Sequence, residues 1–204
     1  MSAITGGGTD GNERLTASTG IVLLILLAAI GITILRIGQL ISEHLFIGLL
    51  LIGPVTVKMA STGYRFVRYY SGESSYRHKG PPPLWLRSIA PMVVISTVVV
   101  FASGVALLFN GPSGRGLMLT VHKVSFIVWI AFTAAHVLGH VFDLPGSWRA
   151  SSSAAESQDA AAGRAGRWIV LGGSLVGGLV LALALIGQFA PWTAHGALLH
   201  HHRH

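Results

Sequence analysis

Apolar residues run through this chain in five long blocks separated by polar, charge-bearing segments. The first extends from about Thr16 to Leu35, with no charge between Arg14 and Arg36. The second, about Ser42 to Tyr64, has Glu43 at its start and is interrupted beyond that only by Lys58. The third covers about Ser88 to Phe109, the fourth about Leu117 to Phe142 and the fifth about Arg167 to Phe189. Each reaches the roughly 20 residues that a helix needs to cross hydrocarbon. None alternates apolar and polar positions as a barrel strand does, and helices satisfy their own backbone in lipid. The expected fold is an all-α integral membrane protein with five transmembrane helices, the first four forming an up-down bundle.

Composition agrees with that pattern. Of 204 residues 51% are hydrophobic and only 10% charged, against about 25% charged in soluble domains. There is no cysteine, which excludes disulfides, thiolate metal sites, iron–sulfur ligation and covalent haem attachment. A net charge of +7 would suggest nucleic acid in a soluble protein. Here the cations sit between the apolar blocks, so the excess of Lys and Arg in cytoplasmic loops accounts for them and no nucleic-acid partner is expected.

Those loops give an orientation. Arg65, Arg68, Arg77, Lys79 and Arg87 lie between blocks two and three, and Arg149, Arg164 and Arg167 between four and five. The opposite loops carry Arg36 and Arg115, with Lys123 just inside block four. A cell-membrane protein with a cytoplasmic N-terminus and an external C-terminus follows. Residues 1–14 are expected to be a disordered cytoplasmic tail, 15–142 the four-helix bundle and 143–166 a flexible cytoplasmic loop. Residues 167–190 make the fifth helix and 191–204 a His-rich external tail. Trp85, Trp148, Trp168 and Trp192 fall near block ends, where interfacial anchors belong.

The chemistry lies in the histidines. An ionisable side chain in hydrocarbon is costly and tends to persist where it pairs, lines a path or holds a ligand. With this topology His44 and His122 both lie near the outer ends of their helices, at similar depth. The second and fourth helices of a bundle face each other across its core, where cofactors are held. Two imidazoles converging at one depth suit a six-coordinate haem iron. His136 follows His122 by 14 residues, about four turns and roughly 21 Å deeper, within about 40° of the same face. His140, five turns on from His122, shares that face and is the alternative ligand for an inner haem. The position 14 residues after His44 holds Lys58, which could snorkel, meet a haem propionate or, deprotonated, ligate. Met92 is a further inner candidate, and Gly48, Gly53 and Gly104 could let a macrocycle approach a helix closely.

The run HLFIGLLLIGPVTVKMASTGYRFVRYY, the GPP before the third block and HKVSFIVWIAFTAAH in the fourth resemble the prokaryotic membrane-bound b-type cytochromes. That group includes the cytochrome subunits of hydrogenases and formate dehydrogenases and the ferric-reductase-like proteins. The resemblance covers about residues 40 to 142. It implies paired histidines on different helices ligating haem b, and electron transfer between a partner redox subunit and the quinone pool. His44 and His122 match the paired ligands and His136 the spacing of a second-haem ligand, while Lys58 departs from the pattern. Transmembrane electron transfer is therefore expected, as an oxidoreductase subunit rather than a lone catalyst. The competing expectation is a haem-free transporter or metal-ion or proton permease using the same histidines. Arg65, Arg68, Tyr69 and Tyr70 read as a solvated interfacial stripe that could also meet propionates or a quinone headgroup. The clustered His195, His200, His201, His202 and His204 read as a tail with incidental metal affinity.

Overall fold

Three separate tracts, residues 8–73, 84–151 and 164–194, are described by the computed structural model, and their regular structure is entirely helical. Helix α1 is Gly8–Leu35, α2 Ile41–Tyr70, α3 Leu84–Asn110, α4 Gly116–Ser151 and α5 Arg164–Ala184, followed by a short 3-10 turn at Ile186–Phe189. Five helices are thus long and apolar enough to cross a membrane. The first four run further than the apolar blocks suggest, α1 and α4 by the most. α1 begins at Gly8, inside the expected tail, where Asn12 Nδ2 donates to the Ser61 carbonyl of α2 at 3.2 Å. α4 continues past Phe142 to Ser151, through Pro145 and Gly146 and into the expected cytoplasmic loop. Residues 1–7, 152–163 and the His-rich run from His195 to His204 lie outside the described residues.

The helices associate unequally. α1 packs along α2, α2 along α5 and α3 along α4, whereas α2 meets α3 at few points. The result is a three-helix group, α1, α2 and α5, beside an α3–α4 hairpin. The fifth helix, expected to stand apart from a bundle of the first four, is seated closely on α2. Backbone chemistry explains the seat. Pro54, fully buried inside α2, has no N–H to offer the carbonyl of Leu50 four residues earlier. That carbonyl faces Gly178 of α5, where a Cβ would collide with it. Reciprocally, a Cβ on Gly53 would collide with the Ser174 carbonyl. Two glycines therefore let the backbones touch, as small residues do in packed apolar helices. Gly166, Leu171, Gly178 and Ala182 make the buried stripe of α5.

Near one end of the helices, Leu49, Leu108, Ala182 and Phe189 form a buried cluster joining α2, α3 and α5. Trp192, expected as an interfacial anchor, is packed against this cluster instead. Elsewhere the usual distribution is inverted. Thr19, Thr33, Ser96, Thr97 and Ser103 are buried, while Ile21, Leu24, Ile25, Ile95, Val98, Ile127 and Val180 are exposed. The buried hydroxyls spend their protons on carbonyls three or four residues back: Thr19 on Leu15 at 2.7 Å, Ser96 on Met92 at 2.6 Å and Thr97 on Val93 at 2.6 Å. Thr97 then accepts the indole N–H of Trp129 at 2.9 Å, a polar tie between α3 and α4.

Gly178→Ala is expected to force α2 and α5 apart at a cost of about 1–3 kcal/mol, read as a lower unfolding midpoint in detergent. Gly173→Ala, where nothing lies within 4 Å of the added methyl, should leave the midpoint unchanged. Equal midpoints for the two variants would show that the backbones do not approach this closely.

Candidate functional site

Two tight reversals build the site. After α1, the amides of Gln39 and Leu40 both donate to the Arg36 carbonyl at 2.9 Å, and His44 N donates to the Leu40 carbonyl at 2.9 Å. This short turn sets Thr33, in the last turn of α1, beside His44, in the first turn of α2. After α3, Gly111 takes a positive φ of 66° and donates to the Leu107 carbonyl at 3.1 Å. A left-handed residue ends a helix and is easiest for glycine. The chain then returns as α4, bringing His122 beside the segment from Val100 to Gly104.

The hydrogen bonds fix the proton of His122 and limit where that of His44 can sit. His122 Nδ1 lies 3.1 Å from the Val100 carbonyl oxygen and 3.1 Å from Ser103 Oγ. A carbonyl can only accept, so Nδ1 of His122 donates. Ser103 directs its own proton to the same Val100 carbonyl at 3.0 Å, leaving its oxygen to accept. His44 Nδ1 lies 2.9 Å from Thr33 Oγ1. Thr33 has one proton to share between the Ile30 carbonyl at 2.6 Å and His44 Nδ1; with the proton on that carbonyl, the shorter of the two contacts, it too accepts from His44. Each neutral ring is then protonated at Nδ1 and carries a free lone pair on Nε2, across the ring from the helix that holds it.

The two rings meet. Their centroids are 6.5 Å apart and their planes are at 86°. His44 is held from α1 and His122 from α3, so the first four helices all contribute to the pair. Gly104 makes room for it: a Cβ there would stand 3.2 Å from Cε1 and 3.6 Å from Nδ1 of His122. The group that lies against this glycine is the His122 ring itself. Gly48 faces Ile30 of α1, and Gly53 is taken up by α5; neither borders the two rings.

The remaining candidates separate from the pair. Lys58 turns to α1, where Nζ donates to the Thr16 carbonyl at 2.7 Å above Gly20. It belongs to a polar seam in which Thr16 Oγ1 donates to Ser61 Oγ at 3.1 Å and Ser61 in turn to the Lys58 carbonyl at 3.0 Å. Met92 is 43% exposed on α3, which takes it away from the helix contacts. His136 lies partly buried on α4, and His140 lies on the same helix with its side chain outside the described residues. Arg68 pairs with Glu73 at 2.8 Å and donates to the Tyr64 hydroxyl at 2.9 Å, while Arg87 contacts the Tyr70 hydroxyl. Among the described residues no group of three or more His, Asp or Glu gathers to hold a bare metal ion. Sequence reasoning missed Thr33, Val100 and Ser103. A hydroxyl in an apolar helix usually bonds back to its own backbone, so nothing local distinguishes Thr33 from Thr19, and a carbonyl leaves no mark in a sequence.

No protein-family model, no curated protein and no solved structure matches this chain.

The proton placement can be checked directly. The ring nitrogens of His44 and His122 in haem-free, 15N-labelled protein should show the Nδ1-protonated tautomer. Gly104→Val should push the His122 ring off the Val100 carbonyl and give mixed tautomers at His122 while sparing His44. An Nε2-protonated signal for either ring in the parent protein would contradict the network.

Proposed function

We propose that this protein is a multi-pass membrane electron carrier that holds one haem b between His44 and His122. The observation that carries the reading is the pair of rings with centres 6.5 Å apart, each tied at Nδ1 to a flanking helix. Two metal–imidazole bonds of about 2 Å, with the half-ring beyond each nitrogen, put ring centres roughly 6 Å apart. An edge-to-face aromatic contact falls in the same range. With Nδ1 of each ring engaged by a neighbouring helix, Nε2 is the nitrogen left to meet an electrophile. Tying off the second nitrogen of a ligating histidine is also how proteins orient the ring and raise its basicity. The sparse contact between α2 and α3 is a seam suited to a large flat group, and Gly104 keeps the His122 ring against α3. When bound, the haem would supply a one-electron couple whose potential follows from its axial ligands, the hydrogen bonds upon them and burial.

The outward apolar and inward hydroxyl side chains support insertion in lipid. Loop charge supports a cytoplasmic N-terminus and an external C-terminus in the cell membrane, with the ring pair towards the external face. Both rings lie in the stretches that resemble the b-type cytochromes. That likeness brings the quinone pool and a partner redox subunit as the proposed exchange partners. Lys58 turns its amine to α1, so the reading gives it no part in haem ligation and commits to one haem, with His136 outside the site.

Reduced-minus-oxidised spectra of the full chain, supplied with haem during expression, test this. The parent should give low-spin haem b bands and about one haem per chain, and His136→Ala should keep them. His44→Ala and His122→Ala should each lose the low-spin signature, with haem affinity down by at least about tenfold. Full retention of the bands in either single variant would overturn the assignment.

A further inference from the structure

The two rings are held by unequal means, and this has a consequence within the electron-carrier reading on which it rests. His122 donates from Nδ1 to a backbone carbonyl that no side-chain change removes, has the Ser103 oxygen as a second acceptor, and is backed by Gly104. His44 depends on the Thr33 hydroxyl. That hydroxyl is buried, with Thr33 only 3% exposed, and is polarised by its own 2.6 Å bond to the Ile30 carbonyl. Thr33 also stands at the end of α1, where its carbonyl already accepts from Arg36 in the turn, at 3.3 Å.

We propose that Thr33 is the positioning residue of the site: it fixes the tautomer and ring orientation of His44 and thereby makes His44 the adjustable, more easily displaced axial ligand. The physical steps are short. A carbonyl is a stronger acceptor than a hydroxyl, so it draws more on the Nδ1 proton and makes the ring it holds the better electron donor. His122 is accordingly the firmer ligand. Without the Thr33 oxygen the buried Nδ1–H of His44 has no other side-chain or backbone acceptor shown among the described residues, which favours the other tautomer or a rotated ring, and in both cases the Nε2 lone pair is no longer presented. Weaker donation from His44 stabilises the oxidised iron less, so the reduction potential rises. Loss of Ser103 leaves the Val100 carbonyl in place and changes little.

The test compares Thr33→Val, Thr33→Ser and Ser103→Ala in the full chain, reading the redox midpoint and carbon monoxide binding to the reduced protein. Thr33→Val keeps the shape and removes the acceptor. It should move the midpoint to more positive potential and raise carbon monoxide affinity by roughly tenfold or more. Thr33→Ser should restore parental behaviour, and Ser103→Ala should stay within about twofold of it. If the valine variant does not assemble, Thr33→Ala carries the same expectation. A parent protein that shows low-spin bands while the valine variant matches Ser103→Ala overturns this proposal alone. A parent protein without haem bands removes the electron-carrier reading, and this proposal with it.

Discussion

A polar group surrounded by apolar side chains has few places to find a hydrogen bond except its own helix or the one beside it, and leaving it unmade is costly. Most buried polar side chains here follow that constraint, with Thr133 Oγ1 and Trp192 Nε1 the exceptions among the described residues. Most buried hydroxyls bond back to carbonyls of their own turn, as Thr19 and Ser96 do. Lys58 finds the Thr16 carbonyl, and Trp129 finds Thr97. The two imidazoles face the same demand, and each meets it at Nδ1 through the neighbouring helix of its own hairpin. Satisfying one nitrogen by an acceptor leaves the other with a lone pair, and the pairing of α1 with α2 and of α3 with α4 brings the two ring centres to 6.5 Å.

The helix packing supports this division. The α2–α5 contact is close because Gly53, Gly178 and the carbonyl freed by Pro54 let two backbones meet. That contact draws the three-helix group together away from the α3–α4 hairpin, and α2 touches α3 lightly. The seam between the groups is where His44 and His122 face each other. The apolar cluster of Leu49, Leu108 and Phe189 joins the groups near that end.

The candidate site was half legible in the chain. His44 and His122 stand out because ionisable residues in apolar runs are rare, and their equal depth follows from helix order alone. Lys58 misled, since its place on the face of His44 said nothing about which neighbour the long flexible stem would reach. Gly53 misled similarly: a glycine suited to a macrocycle is equally suited to another backbone. Thr33 and the Val100 carbonyl were invisible, because their importance comes from the ring opposite them.

By itself, then, the sequence determined the number and approximate extent of the helices and the residue types that could carry chemistry. Length, apolarity and the demands of the backbone act locally, within one segment at a time. Which helix lies against which, which nitrogen keeps its proton and which way an amine turns were decided only by the tertiary structure. Each of those outcomes depends on two segments at once: a glycine matters through the carbonyl that approaches it, and an imidazole through the acceptor across the interface.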